Sequence, residues 1–144
     1  MKAKHLIQQL VENAESTPTK YRNRTEWHNT LGQPHRLDGP AVKYANGDKE
    51  WWVNGQRHRL DGPAVEWADG TKLWYVDGKL HRLDGPAEEW ADGAKAWYLD
   101  GKRHRLDGPA IECADGTKQW YADGKHVPVY NQKDFEYWLL GIKI

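Results

Sequence analysis

His58, Arg59 and Asp61 lie close together, and the same trio returns as His35-Arg36-Asp38, His81-Arg82-Asp84 and His104-Arg105-Asp107. A histidine beside a carboxylate is raw material for metal ligation or general acid–base catalysis, and an arginine beside both could hold an anion. The spacing argues against such chemistry. The trios recur every 23 residues. If each unit adds two strands to a sheet, equivalent residues stand about 9–10 Å apart. A metal needs its ligands within about 2.0–2.6 Å, so neighbouring units cannot share one. A single unit offers only one His and one Asp. Catalysis also needs unlike groups converging on one point, whereas this chain repeats like groups at spaced points. The trio is therefore read as structural. Asp caps backbone N–H groups of a turn, Arg pairs with a carboxylate, and His packs on an aromatic ladder. No P-loop, GxSxG, HExxH or CxxC motif occurs. Cys113 has no activating neighbour in sequence and reads as an inert thiol. The expectation is a non-enzyme with no catalytic residue, no metal ligand and no cofactor.

Aromatic residues form the second constellation. Nine Trp and seven Tyr accompany a single Phe and a single Met. With each unit numbered from its His, the full units are 35–57, 58–80, 81–103 and 104–126. The block HRLDGPA is identical in all four. Position seventeen is Trp51, Trp74, Trp97 and Trp120, and position eighteen is Trp52, Tyr75, Tyr98 and Tyr121. Such rings can stack on nucleobases, at about 1–3 kcal/mol each, or on sugars or peptides. They can equally be the core of a chain poor in aliphatic residues. One ladder is expected to be core and the other a binding surface. The candidate surface is Trp51, Trp74, Trp97 and Trp120 with Arg36, Arg59, Arg82 and Arg105.

A repeat on this scale signals a stacked array. Each unit carries two Asp/Asn-Gly turn signals, at positions twelve to thirteen and twenty to twenty-one, flanked by short strand-like runs. Charge selects the register of the first hairpin. A three-residue Ala-Asp-Gly loop with a left-handed Gly pairs Glu66 with Lys72, Glu89 with Lys95 and Glu112 with Lys118. The first unit departs from this rule, since Lys43 would face Lys49. In that register Val65, Trp67 and Tyr75 share one face, and Ala64, Trp74 and the Glu–Lys pair share the other. The expected architecture is mainly β, one elongated twisted antiparallel sheet over residues 17–126, opened by a half unit at 21–34 with Trp27 in a strand. Short capping helices are expected at both ends. Residues 1–16 show an amphipathic stripe, interrupted by STPTK. In 127–144, Asn131 is the expected N-cap and Phe135, Trp138, Leu139 and Ile142 form the apolar face. That helix is either a lid or a docking element.

Bulk properties narrow the partners. Lys plus Arg and Asp plus Glu both number 21, for a formal net charge of zero. This disfavours a general nucleic-acid or anionic-membrane binder. One cysteine excludes an internal disulfide framework. No apolar run reaches membrane-spanning length. A soluble, cytoplasmic protein is the expectation.

The stretch Tyr75-Val76-Asp77-Gly78-Lys79 followed by His81 resembles the MORN repeat, a hairpin unit of similar length. It departs from that pattern in lacking the Tyr-x-Gly-x-Trp glycine before Trp74 and in carrying Arg59-Leu60-Asp61-Gly62-Pro63 after the His. The HRLDGPA block is similar to HRxDGPA repeats of bacteriophage and bacterial proteins. Both resemblances imply a hairpin array used for binding or scaffolding. The resulting expectation is a protein-binding module with a protein partner, in the form of a phage-encoded inhibitor or decoy of a host protein such as a defence enzyme. The alternatives are a nucleotide or glycan binder using the aromatic and arginine ladders, and a self-assembling homo-oligomer.

Overall fold

The structure is a computed structural model and describes residues 16–142. The helix expected over residues 1–16 lies outside the described residues except for its last position. Each unit folds as two hairpins in series. In the first, Val65–Glu66 pairs with Lys72–Leu73 around Ala68-Asp69-Gly70. The Gly70 N–H donates to the Trp67 carbonyl at 3.0 Å, and the Trp67 N–H to the Thr71 carbonyl at 2.9 Å. Gly70 has φ +97°, the left-handed conformation the loop requires. The Asp69 carboxylate accepts the Thr71 N–H at 2.8 Å, and Asp92 and Asp115 repeat the bond. The expected register holds, with Glu66 opposite Lys72, Glu89 opposite Lys95 and Glu112 opposite Lys118. Lys43 does face Lys49. Their charges find other neighbours: the Lys43 ammonium lies 5.4 Å from the Trp27 ring centroid, and that of Lys49 lies 4.0 Å from Glu66 of the next unit.

In the second hairpin, Tyr75–Val76 pairs with Lys79–Leu80 around Asp77-Gly78. Both turn residues have positive φ, +50° and +75°, so this is a type I′ turn. The same turn closes at Asn54-Gly55, Asp100-Gly101 and Asp123-Gly124. Position seventeen is the joint between the two hairpins. The Trp74 N–H donates to Ala87 of the next unit at 2.8 Å, while its carbonyl accepts from His81 N–H at 3.1 Å. The first hairpins therefore join one open, 11-stranded antiparallel sheet from Thr17–Lys20 to Lys125–Val127. Three two-stranded hairpins accompany it, a feature the sequence reading did not separate from the sheet. The second row is also knitted together, because Arg59 N–H donates to Tyr75 and Gly78 N–H to Arg57.

At the N-terminal end, the STPTK segment, read from sequence only as a break, supplies an edge strand. Thr17–Lys20 pairs with Arg24–His28, which carries Trp27 and pairs in turn with Val42–Tyr44. The core is thin and periodic. Ala41, Ala64, Ala87 and Ala110 are fully buried, and Val65 lies buried opposite Leu73. At about 1.5–3 kcal/mol per buried Val or Leu, these small side chains contribute modestly. The aromatic and arginine ladders must carry much of the remaining packing.

The C-terminal helix, Gln132–Leu139, is N-capped by Asn131, whose side chain accepts the Asp134 N–H at 2.9 Å. Phe135 is fully buried against Trp120 and Val127, and Trp138 packs on this cluster. The Phe135 and Trp138 rings stack 6.1 Å apart. Leu139 and Ile142 stay exposed. Two of the four expected apolar residues thus close the last rung as a lid, and two do not.

Candidate functional site

The arginines and the position-seventeen tryptophans come together across units. Arg59 lies over Trp51, Arg82 over Trp74 and Arg105 over Trp97, each with the guanidinium carbon 3.9 Å from the ring centroid. Arg36 lies 4.2 Å over Trp27, so the half unit supplies the first rung. Each such stack contributes about 0.5–2 kcal/mol, depending on desolvation. The guanidinium is pinned as well as stacked. Arg82 Nε donates to Asp84 at 2.9 Å, and its Nη1 donates to the Pro86 carbonyl at 3.1 Å and to Glu89 at 2.9 Å. The hydrogen bond and then the charge of the neighbouring arginine hold Asp38, Asp61, Asp84 and Asp107 below the usual carboxylate range.

This arrangement revises two of the roles read from sequence. Arginine pairs with carboxylates, as expected. The aspartate of HRLDGPA, however, serves the arginine rather than the turn backbone. The histidine is tied to the second hairpin of its own unit. His58 Nδ1 accepts the Asp77 N–H at 3.1 Å, and His35, His81 and His104 do the same for Asn54, Asp100 and Asp123. The glycine of the block also has a role that turn chemistry did not suggest. A Cβ on Gly85 would stand 2.9 Å from the Arg82 guanidinium carbon, and on Gly108 2.7 Å from that of Arg105.

Successive HRLDGPA turns stand apart along the sheet, and a cleft opens between each pair. Three such clefts measure about 670, 600 and 460 Å³ in chain order. The middle one is bounded by Leu60, Trp74, Val76, His81 and Leu83. Leu37, Leu60 and Leu83 mark the turns and are 62%, 80% and 83% exposed. The structure thus places Trp51, Trp74 and Trp97, half-buried beneath arginines, in three equivalent clefts. Trp120 differs: it is buried under the C-terminal helix, and its indole N–H donates to Gln132 at 3.0 Å.

The other face carries a second ladder that includes a position the sequence reading passed over. Position twenty-three inserts Arg57 between Trp52 and Tyr75, and Arg103 between Tyr98 and Tyr121. Its signal was hidden because the residue varies as Arg57, Leu80, Arg103 and His126. Glu50 accepts from the Trp52 indole at 2.8 Å and from Arg57 at 3.4 Å. Burial pushes the Glu88 carboxyl up, against a Trp90 hydrogen bond and the Arg103 charge. Trp67 and Trp90 meet edge to face, with centroids 5.8 Å apart.

Among the described residues, no group of three His, Cys, Asp or Glu could hold a metal ion, and no helix is long and apolar enough to cross a membrane. Comparison with protein-family models, curated proteins and solved structures gave no match.

Proposed function

We propose that the chain is a protein-binding module that acts by occupancy, and that the row of clefts between the HRLDGPA turns is its binding surface. The observation that carries this reading is the leucine row over three equivalent clefts. Leu37, Leu60 and Leu83 are large apolar side chains held out in solvent at one side of a rigid sheet. Folding gains nothing from that placement, and a regular apolar row of this kind is a recognition feature. Like sites in a line suit an extended polymer better than a single small molecule. The partner proposed is a host protein, with inhibition or decoy as the outcome of binding.

The test compares the full chain with Leu60→Glu/Leu83→Glu as bait in lysate of the source organism's cells or of its host. A stoichiometric protein held by the parent and lost by the variant, with both baits folded by circular dichroism, supports the proposal. A partner held equally by both refutes the surface assignment. Turnover of a metabolite or nucleotide by the purified chain refutes a role by occupancy alone.

A further inference from the structure

The place beside Trp120 is filled by the chain itself, and its filling suggests what the three clefts at Trp51, Trp74 and Trp97 accept. Here the Gln132 carboxamide bridges the unit. Its oxygen accepts from the Trp120 indole N–H at 3.0 Å, and its nitrogen donates to the Leu106 carbonyl at 2.9 Å. The equivalent pairs in the earlier units are Trp51 with Leu37, Trp74 with Leu60 and Trp97 with Leu83. Each pair borders one of the three open clefts. The indole N–H groups of Trp51, Trp74 and Trp97 have no partner among the described residues and are not fully enclosed. The carbonyls of Leu37, Leu60 and Leu83 likewise accept from no described backbone or side-chain donor.

We infer that the three clefts bind side-chain carboxamides, presented by an extended Gln- or Asn-bearing segment of a partner protein. The donor–acceptor pair selects the head group. A carboxylate can accept from the indole but cannot donate to the carbonyl, and Lys or Arg has the reverse defect. A primary amide carries both functions on one planar head, as Gln132 demonstrates.

The rung spacing selects the backbone. Two strand spacings place successive clefts about 9.4–9.8 Å apart. A polyproline II segment repeats a face every three residues, or about 9.3 Å. A β-strand repeats a face at about 6.6–6.8 Å, and seven residues of α-helix span about 10.5 Å. Across three clefts the polyproline segment stays within about 1 Å of register, while the helix drifts by about 1.4–2.2 Å. Exposed leucines and half-buried tryptophans lining a groove also suit this ligand form. The partner segment is therefore a polyproline II stretch with Gln or Asn at every third residue.

This inference rests on the cleft row being the binding surface, and the experiment separates the two. The probes are the capped peptides (Pro-Pro-Gln)4, (Pro-Pro-Ala)4 and (Pro-Pro-Glu)4, titrated into the full chain by calorimetry. The expected result is one-to-one binding of the glutamine peptide, at least tenfold tighter than either of the others. Trp74→Phe keeps a ring beneath Arg82 but removes the N–H. It is expected to weaken the glutamine peptide about fivefold, the worth of one neutral hydrogen bond, and to leave the alanine peptide unchanged. Indole N–H resonances give a check that does not depend on variant folding. Those of Trp51, Trp74 and Trp97 should shift and gain exchange protection with the glutamine peptide, while that of Trp120, already bonded, should not. Equal binding of the glutamine and alanine peptides, or no binding of any, overturns the inference. So does a captured protein partner lost on Leu60→Glu/Leu83→Glu yet insensitive to Trp51→Phe/Trp74→Phe/Trp97→Phe. That last outcome would leave the cleft row as the binding surface.

Discussion

Replacing Gly85 by Ala isolates the interaction that joins one unit to the next. The φ of Gly85 lies outside the left-handed region, so alanine is allowed there by backbone alone. On that ground the change should stabilise by about 0.4–1 kcal/mol, because it restricts the unfolded chain. The new Cβ, however, would stand 2.9 Å from the Arg82 guanidinium carbon. Arg82 is held by Trp74, Asp84, Glu89 and the Pro86 carbonyl, so it cannot yield without losing contacts. A partly exposed stack is worth about 0.5–1 kcal/mol, the Glu89 pair about 0.2–1 and the carbonyl bond about 0.5–1.5. Their loss, about 1.2–3.5 kcal/mol in sum, exceeds the entropic gain of about 0.4–1 kcal/mol. Gly85→Ala should therefore destabilise by about 1–2 kcal/mol. In an Arg82→Ala background the same change should stabilise by about 0.4–1 kcal/mol. The assay is urea unfolding of the parent, both single variants and the double variant, read where the m-values agree. The reversal of sign is diagnostic. A Gly85→Ala effect equal in both backgrounds, within about 0.5 kcal/mol, would refute the account of the HRLDGPA glycine.

Other consequences test separate parts of the structure. Glu88→Val places an apolar residue where Val42, Val65 and Ile111 stand in the other units. It should stabilise at neutral pH by about 1 kcal/mol, a figure discounted because Glu88 is only half-buried. The Glu88 carboxyl is raised in the folded state, so its ionised form costs stability above the folded pKa, and that cost disappears below the ordinary value of 4.5. The gain should accordingly shrink in unfolding curves taken toward pH 4.5. The aspartates beside the stacked arginines behave oppositely. Their carboxyls are depressed, so their contribution is present above the ordinary value of 3.8 and is lost as pH falls through the lower folded value. Acid unfolding of Asp84→Asn should show a shallower pH dependence than the parent below that point. Phe135→Ala should cost about 3–5 kcal/mol in thermal or urea unfolding, because Phe135 is fully buried on Trp120 and Val127. A cost below about 1 kcal/mol would contradict the lid role of this helix.

The array was legible where the sequence repeats a chemical contrast. Glu at position nine and Lys at position fifteen fixed the first register, and the two Asp/Asn-Gly signals located both turns. The partition of faces followed from strand alternation. The division into a sheet and a second row of hairpins did not, because it depends on how the position-seventeen backbone shares its two hydrogen bonds. The stacking of Arg59 on Trp51 was hidden for a related reason. The residues belong to different units, and their contact arises only when the turn of one unit folds back over the strand of the previous one. Invariance of Gly62 and Asp61 suggested turn chemistry, whereas both serve the arginine. The second-ladder arginines, Arg57 and Arg103, could not be read from periodicity, since alternate units place Leu80 and His126 there. Among the candidate surface residues, Trp120 left the set because the non-repeating Gln132 and Phe135 cover it, and repeat logic does not extend past the last unit.

Site-specific photocrosslinking tests the central claim most directly. A photoreactive amino acid is placed singly at position 60, 83 or 72 of the full chain, and each protein is irradiated in lysate of the source or host cells. Leu60 and Leu83 stand on the cleft row, while Lys72 is exposed on a strand of the sheet and lines none of the three clefts. The expected result is one protein crosslinked at positions 60 and 83 and not at 72. A partner crosslinked at 72 and at neither leucine position, or no protein at any of the three, would contradict the assignment of the cleft row as the working surface.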